Sequence, residues 1–334
     1  MRIGIVNDTL FAAEALRRTV LSNGRHEVAW IARSGADAVA RCAQDRPDAI
    51  LMDLVMPDMN GAEATRRIMA ATPCAIVIVS ANIHDDTAQV FEAMGAGALD
   101  AVSVPVLNPG GSLDGGQPLL QKLDKISKLV TRVAANGNTK PAGPRARESL
   151  VVIGASAGGP AAIASILQAL PAHFAPAVVI IQHVDPQFTA GLASWLGQHC
   201  HLPVRLAEEG DRPEPGTVLV AAREEHLVFT NATRLGYTRS PVDYSYRPSV
   251  DVFLKSVAHF WKGEVVGILL TGMGRDGAEG LRLLRESGHH TIAQDRQSSA
   301  VFGMPKAAAD LKAASEILAL DKIGPRLANI FQPG

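Results

Sequence analysis

The sequence predicts two α/β domains: a small, doubly wound N-terminal domain with five parallel strands, and a second domain with a mainly parallel sheet. Short apolar runs alternate with amphipathic stretches through most of the 334 residues. Hydrophobic residues make up 47% of the chain and aromatic residues only 4%, a composition typical of helices layered on parallel sheets. The stretch "ANGNTKPAGPRARES" at 135–149 is polar, rich in Gly and Pro, and has little to bury, so it indicates a flexible linker. We therefore predict domains at 1–134 and 150–334.

Five β/α units predict the first domain. Each strand candidate is a short apolar run, and stretches with helical periodicity separate the runs. The predicted strands are "RIGIV" (2–6), "VAWIA" (28–32), "AILM" (49–52), "AIVIVS" (75–80) and "LDAVSV" (99–104). The predicted helices are "AAEALRRTVLS" (12–22), "GADAVARCAQD" (35–45), "GAEATRRIMAA" (61–71) and "PLLQKLDKISKLVTRVA" (118–134).

A second α/β pattern begins after the predicted linker. It has more strand candidates than helix candidates, and one glycine-rich turn follows its first strand. The predicted strands are "SLVVIG" (149–154), "AVVIIQ" (177–182), "VRLA" (204–207), "GTVLVAA" (216–222), "HLVFT" (226–230) and "EVVGILLT" (264–271). The predicted helices are "PAAIASILQAL" (160–170) and "GAEGLRLLRESG" (277–288).

Charge and composition exclude several classes of partner. The formal net charge of −1 gives no reason to expect nucleic acid, which requires a basic surplus. No run of about 18 apolar residues is present, so we expect no insertion into a membrane. The N-terminus is unlike a signal peptide, and three cysteines make no disulfide framework. We therefore expect a cytoplasmic protein.

Acidic side chains end two predicted strands of the first domain. Asp53 closes "AILMD" and Asp8 closes "IGIVND", at the carboxyl ends where an open parallel sheet forms its crevice. Two carboxylates brought together repel unless a hard cation lies between them, and Mg²⁺ prefers oxygen ligands with phosphate. Ser80 ends a third strand, where its hydroxyl could bond a phosphoryl oxygen. The alternative is that acids simply cluster in exposed loops, but three strand ends together favour a site that handles phosphate.

Residues 1–105 resemble a bacterial two-component receiver domain. The matching segments are Asn7-Asp8, "LMDLVMPDMNG" around Asp53, Ser80, and "GALDAVSVP" ending at Pro105. The resemblance implies a flavodoxin-like fold in which Asp53 accepts a phosphoryl group from a histidine kinase. It also implies that Mg²⁺ is held by Asp8, Asp53 and the carbonyl of Val55, and that Ser80 takes part in switching.

Two positions depart from the receiver pattern. Asn7 stands where the first acid of the pair is usual, which is a mild loss. Val104 stands where a lysine usually contacts the acyl phosphate, and a hydrophobic valine cannot replace that point charge. We predict phosphorylation at Asp53 with altered coupling to the output. The alternative is a degenerate receiver that serves only as a docking lid.

The stretch "GASAGG" at 154–159 could either bind a phosphate or present a nucleophile. A phosphate-binding dinucleotide loop would need glycine where Ser156 stands, and an acid about 20 residues further on. The pattern G-x-S-x-G instead matches a turn from strand to helix that presents a nucleophile. Pro160 suits the first helical turn, and Pro171 lies beyond the predicted helix end. The free N–H groups at such a helix N-terminus can stabilise an oxyanion.

A serine nucleophile needs a base, and a histidine base works better when a carboxylate orients it. His183 directly follows the apolar strand "AVVIIQ" and is the best candidate among ten histidines, although a structural role is the alternative. Asp276 lies in the glycine-dense turn of "ILLTGMGRDG", where it could also cap a helix. The backbone N–H of Met273 in the same turn could donate to an oxyanion. The order Ser–His–Asp argues against a lipase-type fold.

Residues 150–330 resemble the catalytic domain of the chemotaxis protein-glutamate methylesterases, the CheB family. The matching segments are "VIGASAGGP", "VVIIQHVDPQFT", "PGTVLVAAREEHLVF", "RPSVDVFLKSVA", "GILLTGMGRDGAEGL" and "AQDRQSSAVFGMPKAA". The resemblance implies a Rossmann-like sheet and hydrolysis of glutamate γ-methyl esters on chemoreceptors, without a cofactor for the esterase. Some family members also deamidate receptor glutamines.

By the same resemblance Ser156 is the nucleophile, His183 the base and acid, Asp276 the orienting carboxylate, and Met273 an oxyanion donor. It further implies that the unphosphorylated receiver covers the catalytic mouth and that phosphorylation at Asp53 loosens this interface. Val104 and the opening "MRIGIVND" also look like the surface-sensing Wsp-type members. The remaining alternatives are a non-catalytic signalling scaffold and a nucleotide-binding protein.

Overall fold

Two compact units, Met1–Arg132 and Val133–Gly334, make up the chain in the computed structural model. The structure describes residues 1–81, 87–107, 113–129 and 149–331. The predicted linker at 135–149 lies outside the described residues except for Ser149, which begins a strand.

The first unit is a doubly wound α/β domain. Its strands and helices alternate along the chain as the apolar runs predict. The strands are β1 (Arg2–Val6), β2 (Glu27–Ala32), β3 (Ala49–Asp53), β4 (Ala75–Ser80), β5 (Asp100–Ser103), β6 (Val106–Leu107) and β7 (Leu113–Asp114). The helices are α1 (Leu10–Leu21), α2 (Gly35–Gln44), α3 (Gly61–Ala71), α4 (Thr87–Gly95) and α5 (Gly116–Leu129).

Five strands form a parallel sheet in the order β2-β1-β3-β4-β5, which confirms the predicted architecture. The chain reverses its direction of growth between β1 and β3, so the crevice at their carboxyl ends is the expected ligand position. Strands β3 and β4 are almost wholly buried because helices cover both faces of the sheet. Ser34 and Asn60 cap α2 and α3 by accepting backbone N–H groups. The short antiparallel pair β6-β7 and helix α4 are additions to the predicted elements.

The second unit is built on a seven-stranded sheet. The strands are β8 (Ser149–Ala155), β9 (Ala177–Gln182), β10 (Val204–Leu206), β11 (Val218–Val220), β12 (His226–Phe229), β13 (Leu235–Thr238), β14 (Glu264–Leu269), β15 (His290–Gln294) and β16 (Glu316–Leu318). The helices are α6 (Gly159–Gln168), α7 (Thr189–Gln198), α8 (Val250–Phe260), α9 (Ala278–Glu286), α10 (Met304–Asp310) and α11 (Leu320–Ile330), and a 3₁₀ turn spans Pro186–Phe188.

The large sheet runs β10-β11-β9-β8-β14-β15-β16, and all its pairings are parallel. The chain winds outward from β8 through β9, then returns to β14 on the other side. The switch point therefore lies between β8 and β14, and their carboxyl ends open the crevice. The predicted strand at 226–230 is β12, which pairs with β13 in a separate antiparallel ribbon instead of joining this sheet.

Strands β15 and β16 lack the apolar runs that would have predicted them. Thr291 and Gln294 of β15 are fully buried because their side chains are satisfied by hydrogen bonds. The Thr291 hydroxyl bonds the carbonyl of Ala313 at 2.8 Å, and Gln294 accepts the N–H of Thr271 at 2.8 Å. Polar residues in a buried strand remove the periodic signal on which sequence prediction depends. Within the described ranges, no helix combines the length and apolar character needed to cross a membrane.

Candidate active site

The nucleophile candidate lies at the switch point of the large sheet. Ser156 directly follows β8 and is only 9% exposed. Gly158 has φ +74°, a left-handed conformation that lets the chain turn sharply from β8 into α6. Pro160 lies in the first turn of α6, as the sequence predicts. The Ser156 N–H donates to the carbonyl of Thr271 at 3.0 Å, so the turn is tied to the segment that follows β14.

The base and carboxylate candidates are joined by a hydrogen bond. His183 directly follows β9, Asp276 lies in the turn before α9, and His183 Nε2 is 2.8 Å from Asp276 Oδ2. Both side chains are less than 10% exposed. A carboxylate can only accept, so Nε2 carries the proton of the neutral ring and Nδ1 has the free lone pair. Nδ1 is buried and has no hydrogen-bond partner among the described residues.

Asp276 is the most fully satisfied polar group of the site. Oδ1 accepts the Ser249 hydroxyl at 2.7 Å and the Asp251 N–H at 3.1 Å. Oδ2 accepts the Val250 N–H at 2.7 Å in addition to His183. Burial opposes the charge, but these donors outweigh it and hold the pKa of the Asp276 carboxyl below its usual range. Asp276 is therefore ionised at neutral pH and fixed in orientation.

The sequence left open a capping role for Asp276, and the structure gives it one on a different helix. Gly277 occupies the N-cap position of α9, the helix that Asp276 precedes. Asp276 instead accepts the first N–H groups of α8, a helix that begins 26 residues earlier. Sequence spacing could not show this because the contact depends on how the two helices pack.

The three predicted catalytic side chains lie at neighbouring strand ends, but only two of them are hydrogen-bonded. No hydrogen bond joins the Ser156 hydroxyl to His183 within the described part of the chain. The backbones are close, since the His183 N–H donates to the carbonyl of Ala155 at 3.0 Å. Catalytic hydrogen bonds are often long or unformed without substrate and tighten in the Michaelis complex. The catalytic roles of these residues remain predictions.

Gln182, the last residue of β9, connects the two strand ends and was missed by the sequence analysis. Its Nε2 donates to the carbonyl of Ser156 at 2.9 Å and to the carbonyl of His183 at 3.0 Å. The side chain is 3% exposed. An amide that ends an otherwise apolar run was the available signal, because a buried polar group must find partners. Gln182 thus ties the backbone of the nucleophile candidate to that of the base candidate.

The segment before α8 supplies a second group of contacts that the sequence analysis missed. The Tyr246 ring stacks on the His183 ring, with centroids 4.3 Å apart and planes 3° from parallel. Three residues later Ser249 caps α8 and donates to Asp276. The Ser249 N–H donates in turn to Nδ1 of the fully buried His226 at 3.1 Å. One short segment therefore contacts both the base and the carboxylate.

His226 is held as a neutral ring. Its Nδ1 accepts from Ser249, so Nε2 carries the proton and donates to the carbonyl of Pro241 at 3.0 Å. Burial lowers the pKa of His226, which favours this uncharged form.

The predicted oxyanion donor lies in the turn between β14 and α9. Gly272 is pinned on both sides: its N–H donates to the carbonyl of Val301, and its carbonyl accepts from Gly303 and Met304. The Met273 N–H makes no hydrogen bond to any residue that the structure describes. A backbone donor held in a rigid turn is the kind of group that stabilises a developing oxyanion. The role of Met273 stays a prediction.

The acidic site of the first unit forms at its own switch point. Asp53 ends β3, and Asp8 follows β1. Asp53 Oδ2 accepts the Asn7 side-chain amide at 2.7 Å, and Oδ1 accepts the Leu54 N–H at 2.8 Å. Asn7 thus orients the Asp53 carboxylate, which gives a physical role to the residue that departs from the receiver pattern.

The donors at this site fit a magnesium ion. Two carboxylates, Asp8 and Asp53, and the carbonyl of the exposed residue Val55 supply oxygen ligands alone, which Mg²⁺ prefers. Ser80 ends β4 next to β3, where Asp53 pairs in register with Val79. These positions agree with the predicted metal and switch residues without testing them.

The lysine position of the receiver pattern has no cationic substitute nearby in sequence. The Val104 N–H donates to the carbonyl of Ser80 at 3.0 Å, so Val104 lies at the same edge of the sheet. Lys122 instead forms an ion pair with Asp100 at 2.6 Å, at the opposite end of β5. A guanidinium does reach the site, because Arg33 donates to the carbonyl of Asp8.

Comparison with models of known protein families identifies the class of protein to which the chain belongs. A family model for the response regulator receiver domain matches residues 3–109, and one for CheB methylesterase matches residues 151–327. The chain is therefore a response regulator with an enzymatic output domain. It belongs to the CheB methylesterase family.

Relatives match along the full length of the chain. A protein of Mesorhizobium japonicum, named protein-glutamate methylesterase/protein-glutamine glutaminase, is 56% identical over 332 residues and 98% of both chains. A Pseudomonas aeruginosa protein of the same name, numbered 3, is 53% identical over 334 residues, 99% of this chain and 100% of the relative. The crystal structure of the Thermotoga maritima CheB methylesterase catalytic domain superposes with a TM-score of 0.53 at 34% identity. It covers 55% of this chain and 99% of that one. The family prediction is confirmed, whereas the Wsp-type likeness stays a prediction.

Proposed function

We propose that the chain hydrolyses γ-methyl esters of glutamate on chemoreceptors, and that it deamidates receptor glutamines by the same chemistry. The full-length relatives carry both activities in their names. The observation that carries the proposal is the His183–Asp276 hydrogen bond of 2.8 Å at the strand end adjacent to Ser156. Imidazole and carboxylate beside a serine form the arrangement that activates a hydroxyl for acyl transfer.

Acylation begins when the Ser156 oxygen attacks the ester carbonyl. His183 takes the hydroxyl proton on Nδ1, the ring nitrogen that Asp276 leaves free. The resulting imidazolium is stabilised by the ionised Asp276 carboxylate. The Met273 N–H and the N-terminus of α6 donate to the tetrahedral oxyanion. Collapse of this intermediate breaks the carbon–methoxy bond, and Nδ1 returns the proton to methanol. With a glutamine substrate the leaving group is ammonia.

Deacylation reverses these roles with water as the nucleophile. His183 Nδ1 takes a proton from water, which attacks the acyl-enzyme, and then returns it to the departing Ser156 oxygen. The product is a free glutamate carboxylate. Apart from the substrate and one water molecule, both half-reactions use only side chains and backbone of this chain, so the esterase is proposed to work without a cofactor.

The receiver is proposed to control this activity through phosphorylation of Asp53 by a histidine kinase. Asp8, Asp53 and the Val55 carbonyl would hold Mg²⁺, which neutralises phosphoryl charge when bound. Asn7 and Leu54 orient the Asp53 carboxylate toward the incoming group. We place the protein in the cytoplasm, where both the kinase and the receptor helices are accessible.

Methanol release from methylated receptor membranes tests the enzymatic proposal. The intact chain should release methanol from methylated receptor and ammonia from receptor with glutamines at the same sites. Ammonia release alone, or neither product, would contradict the methylesterase assignment.

Val104 favours a second candidate for the receiver alone, in which it regulates without accepting phosphate. Incubation of the chain with a phosphodonor and Mg²⁺ distinguishes a receiver that accepts phosphate from one that does not. Phosphotransfer to the native chain, absent in Asp53→Asn, with a change in methanol release, supports the phosphorylation switch. No phosphotransfer to the native chain would support the degenerate receiver.

A further inference from the structure

At the N-termini of α8 and α9, the first N–H groups of each helix donate to a carboxylate that belongs to the other helix or to the turn before it. Asp276 lies just before α9, yet it accepts the N–H groups of Val250 and Asp251 in the first turn of α8. Asp251 lies in α8, yet its Oδ1 accepts the Gly280 N–H in the first turn of α9 at 2.7 Å. Each helix therefore receives its acceptor from the other, and the two carboxylates form a reciprocal pair.

We propose that Asp251 is a positioning residue for catalysis: by holding the first turn of α9 against α8, it fixes Asp276 in contact with His183. This inference rests on the proposed function, since it concerns the same triad. Among the described hydrogen bonds, the Asp251 carboxylate joins neither Ser156 nor His183, and only the backbone N–H of Asp251 donates to Asp276. The effect of the Asp251 carboxylate passes through the backbone from Gly280 back to Asp276, four positions earlier in the chain.

Helices α8 and α9 pack closely at this point. An ideal Cβ at Gly280 would lie 2.6 Å from Leu254 Cβ and 3.1 Å from the Asp251 carbonyl, so α9 approaches α8 with backbone nearly in contact. At that separation the Asp251 side chain reaches an N–H that no residue of α9 itself accepts among the described hydrogen bonds. Replacing the carboxylate by an apolar group would leave this buried N–H unsatisfied, and the turn would relax to find another acceptor.

Two buried carboxylates, Asp251 and Asp276, lie close together, and helix N-termini offset part of their repulsion. Asp251 is 7% exposed and Asp276 is 8% exposed. Burial raises the pKa of Asp251, the Gly280 N–H opposes that rise, and the Asp276 charge adds to it. Each carboxylate lies at the positive end of the other's helix, which offsets part of their repulsion. Burying the Asp251 carboxylate opposes folding. In return, its hydrogen bond to Gly280 fixes the orientation of Asp276, the carboxylate that contacts His183.

Two variants test whether Asp251 acts through its acceptor oxygen or only by filling space: Asp251→Asn and Asp251→Leu. Asparagine keeps an oxygen at Oδ1, whereas Asp251→Leu has similar volume and no acceptor. Asp251→Ser is a second loss-of-contact variant, compatible with the first turn of a helix but too short to reach Gly280. Thr291→Val is the matched control. It removes buried hydrogen bonds to Ala313 and Ser315 in β15, with no contact to the triad.

The test measures kcat and KM for methanol release by the intact chain, at a temperature where circular dichroism shows each variant folded. We expect kcat to fall on the order of 10- to 100-fold in Asp251→Leu and Asp251→Ser, with KM nearly unchanged, because a misplaced group slows the chemical step. Asp251→Asn should recover most of the native kcat, and Thr291→Val should keep it.

Native kcat in either folded loss-of-contact variant would overturn the proposal, and so would a loss in Asp251→Asn equal to that in Asp251→Ser. If Asp251→Leu fails to fold, Asp251→Ser and Asp251→Asn decide the question alone. An inactive native chain would instead refute the proposed function, so the two failures are distinguishable.

Discussion

Gly272 allows the turn after β14 to pass directly against the nucleophile candidate. An ideal Cβ at this position would lie 2.7 Å from Ser156 Cβ, 3.1 Å from Ser156 N and 2.3 Å from Met304 Sδ. The substitution Gly272→Ala therefore forces Ser156, the turn or Met304 to move. Hydrogen bonds hold the turn to Val301, Gly303 and Met304, so Ser156 bears much of the displacement.

The size of the effect follows from these distances. Carbon atoms in ordinary contact are about 3.5–4.0 Å apart, so relieving the overlap with Ser156 requires a movement of roughly 1 Å. A misplacement on the order of 1 Å can lower a catalysed rate by about 100-fold. Overpacking of this kind also lowers the free energy of unfolding by about 1–3 kcal/mol. We expect kcat to fall by about two orders of magnitude, while the protein stays folded.

Gly267→Ala, within β14 itself, is the matched control for Gly272→Ala in the turn that follows this strand. Its ideal Cβ would lie 2.9 Å from the terminal methyl groups of Leu281 and Leu284, which are flexible and can give way. Both variants are assayed for methanol release and for unfolding by urea. The reasoning predicts similar losses of stability and a loss of kcat in Gly272→Ala alone. Native kcat in folded Gly272→Ala would refute it.

Three further predictions concern the surroundings of the triad. Gln182→Met removes two hydrogen bonds that tie the strand ends together, so the backbones of Ser156 and His183 can shift, and kcat should fall on the order of tenfold; an unchanged kcat would show that these two hydrogen bonds are dispensable. Tyr246→Leu removes the ring that stacks on His183, so kcat should fall several-fold, and native kcat in that variant would exclude a role for stacking. The lowered pKa of His226 means that the folded state binds fewer protons than the unfolded state once the pH falls below about 6.5, so stability falls with pH from that value downward. His226→Asn keeps an acceptor for Ser249, and its free energy of unfolding should decline less than that of the native chain between about pH 7 and pH 5; an equal decline would contradict the assignment.

The strand-end residues could be predicted because parallel sheets impose a simple rule. Ser156, His183 and Asp53 each follow an apolar run, and the carboxyl ends of such runs meet at one edge of the sheet. The same rule located both crevices without knowledge of the helices. It could not specify which nitrogen of His183 faces Asp276, since that depends on ring orientation.

Contacts between distant helices could not be predicted in this way. No helix was predicted from the sequence where Ser249 and Asp251 begin α8, and nothing local indicates that Asp276 would reach them. Tyr246 lies in a segment without periodicity, so its stacking on His183 is visible only in three dimensions. Gln182 was overlooked although an amide after five apolar residues was an available signal.

Strand β15 was not predicted because, unlike Gln182, it gives little signal in the sequence. Thr291 and Gln294 weaken its apolar pattern, and their burial is possible only because partners from other segments satisfy them. Residues that need a specific partner to be buried are the ones that a single sequence describes least well.

Methanol release by Ser156→Ala tests the central claim most directly. Alanine removes only the hydroxyl and leaves in place the His183–Asp276 hydrogen bond and the hydrogen bond from Gln182 to the carbonyl of residue 156. If Ser156 forms the acyl-enzyme, turnover of methylated receptor at saturation should fall by about 10⁴-fold or more in protein that remains folded. Turnover close to that of the native chain would contradict the account, because hydrolysis would then proceed without the nucleophile on which it is built.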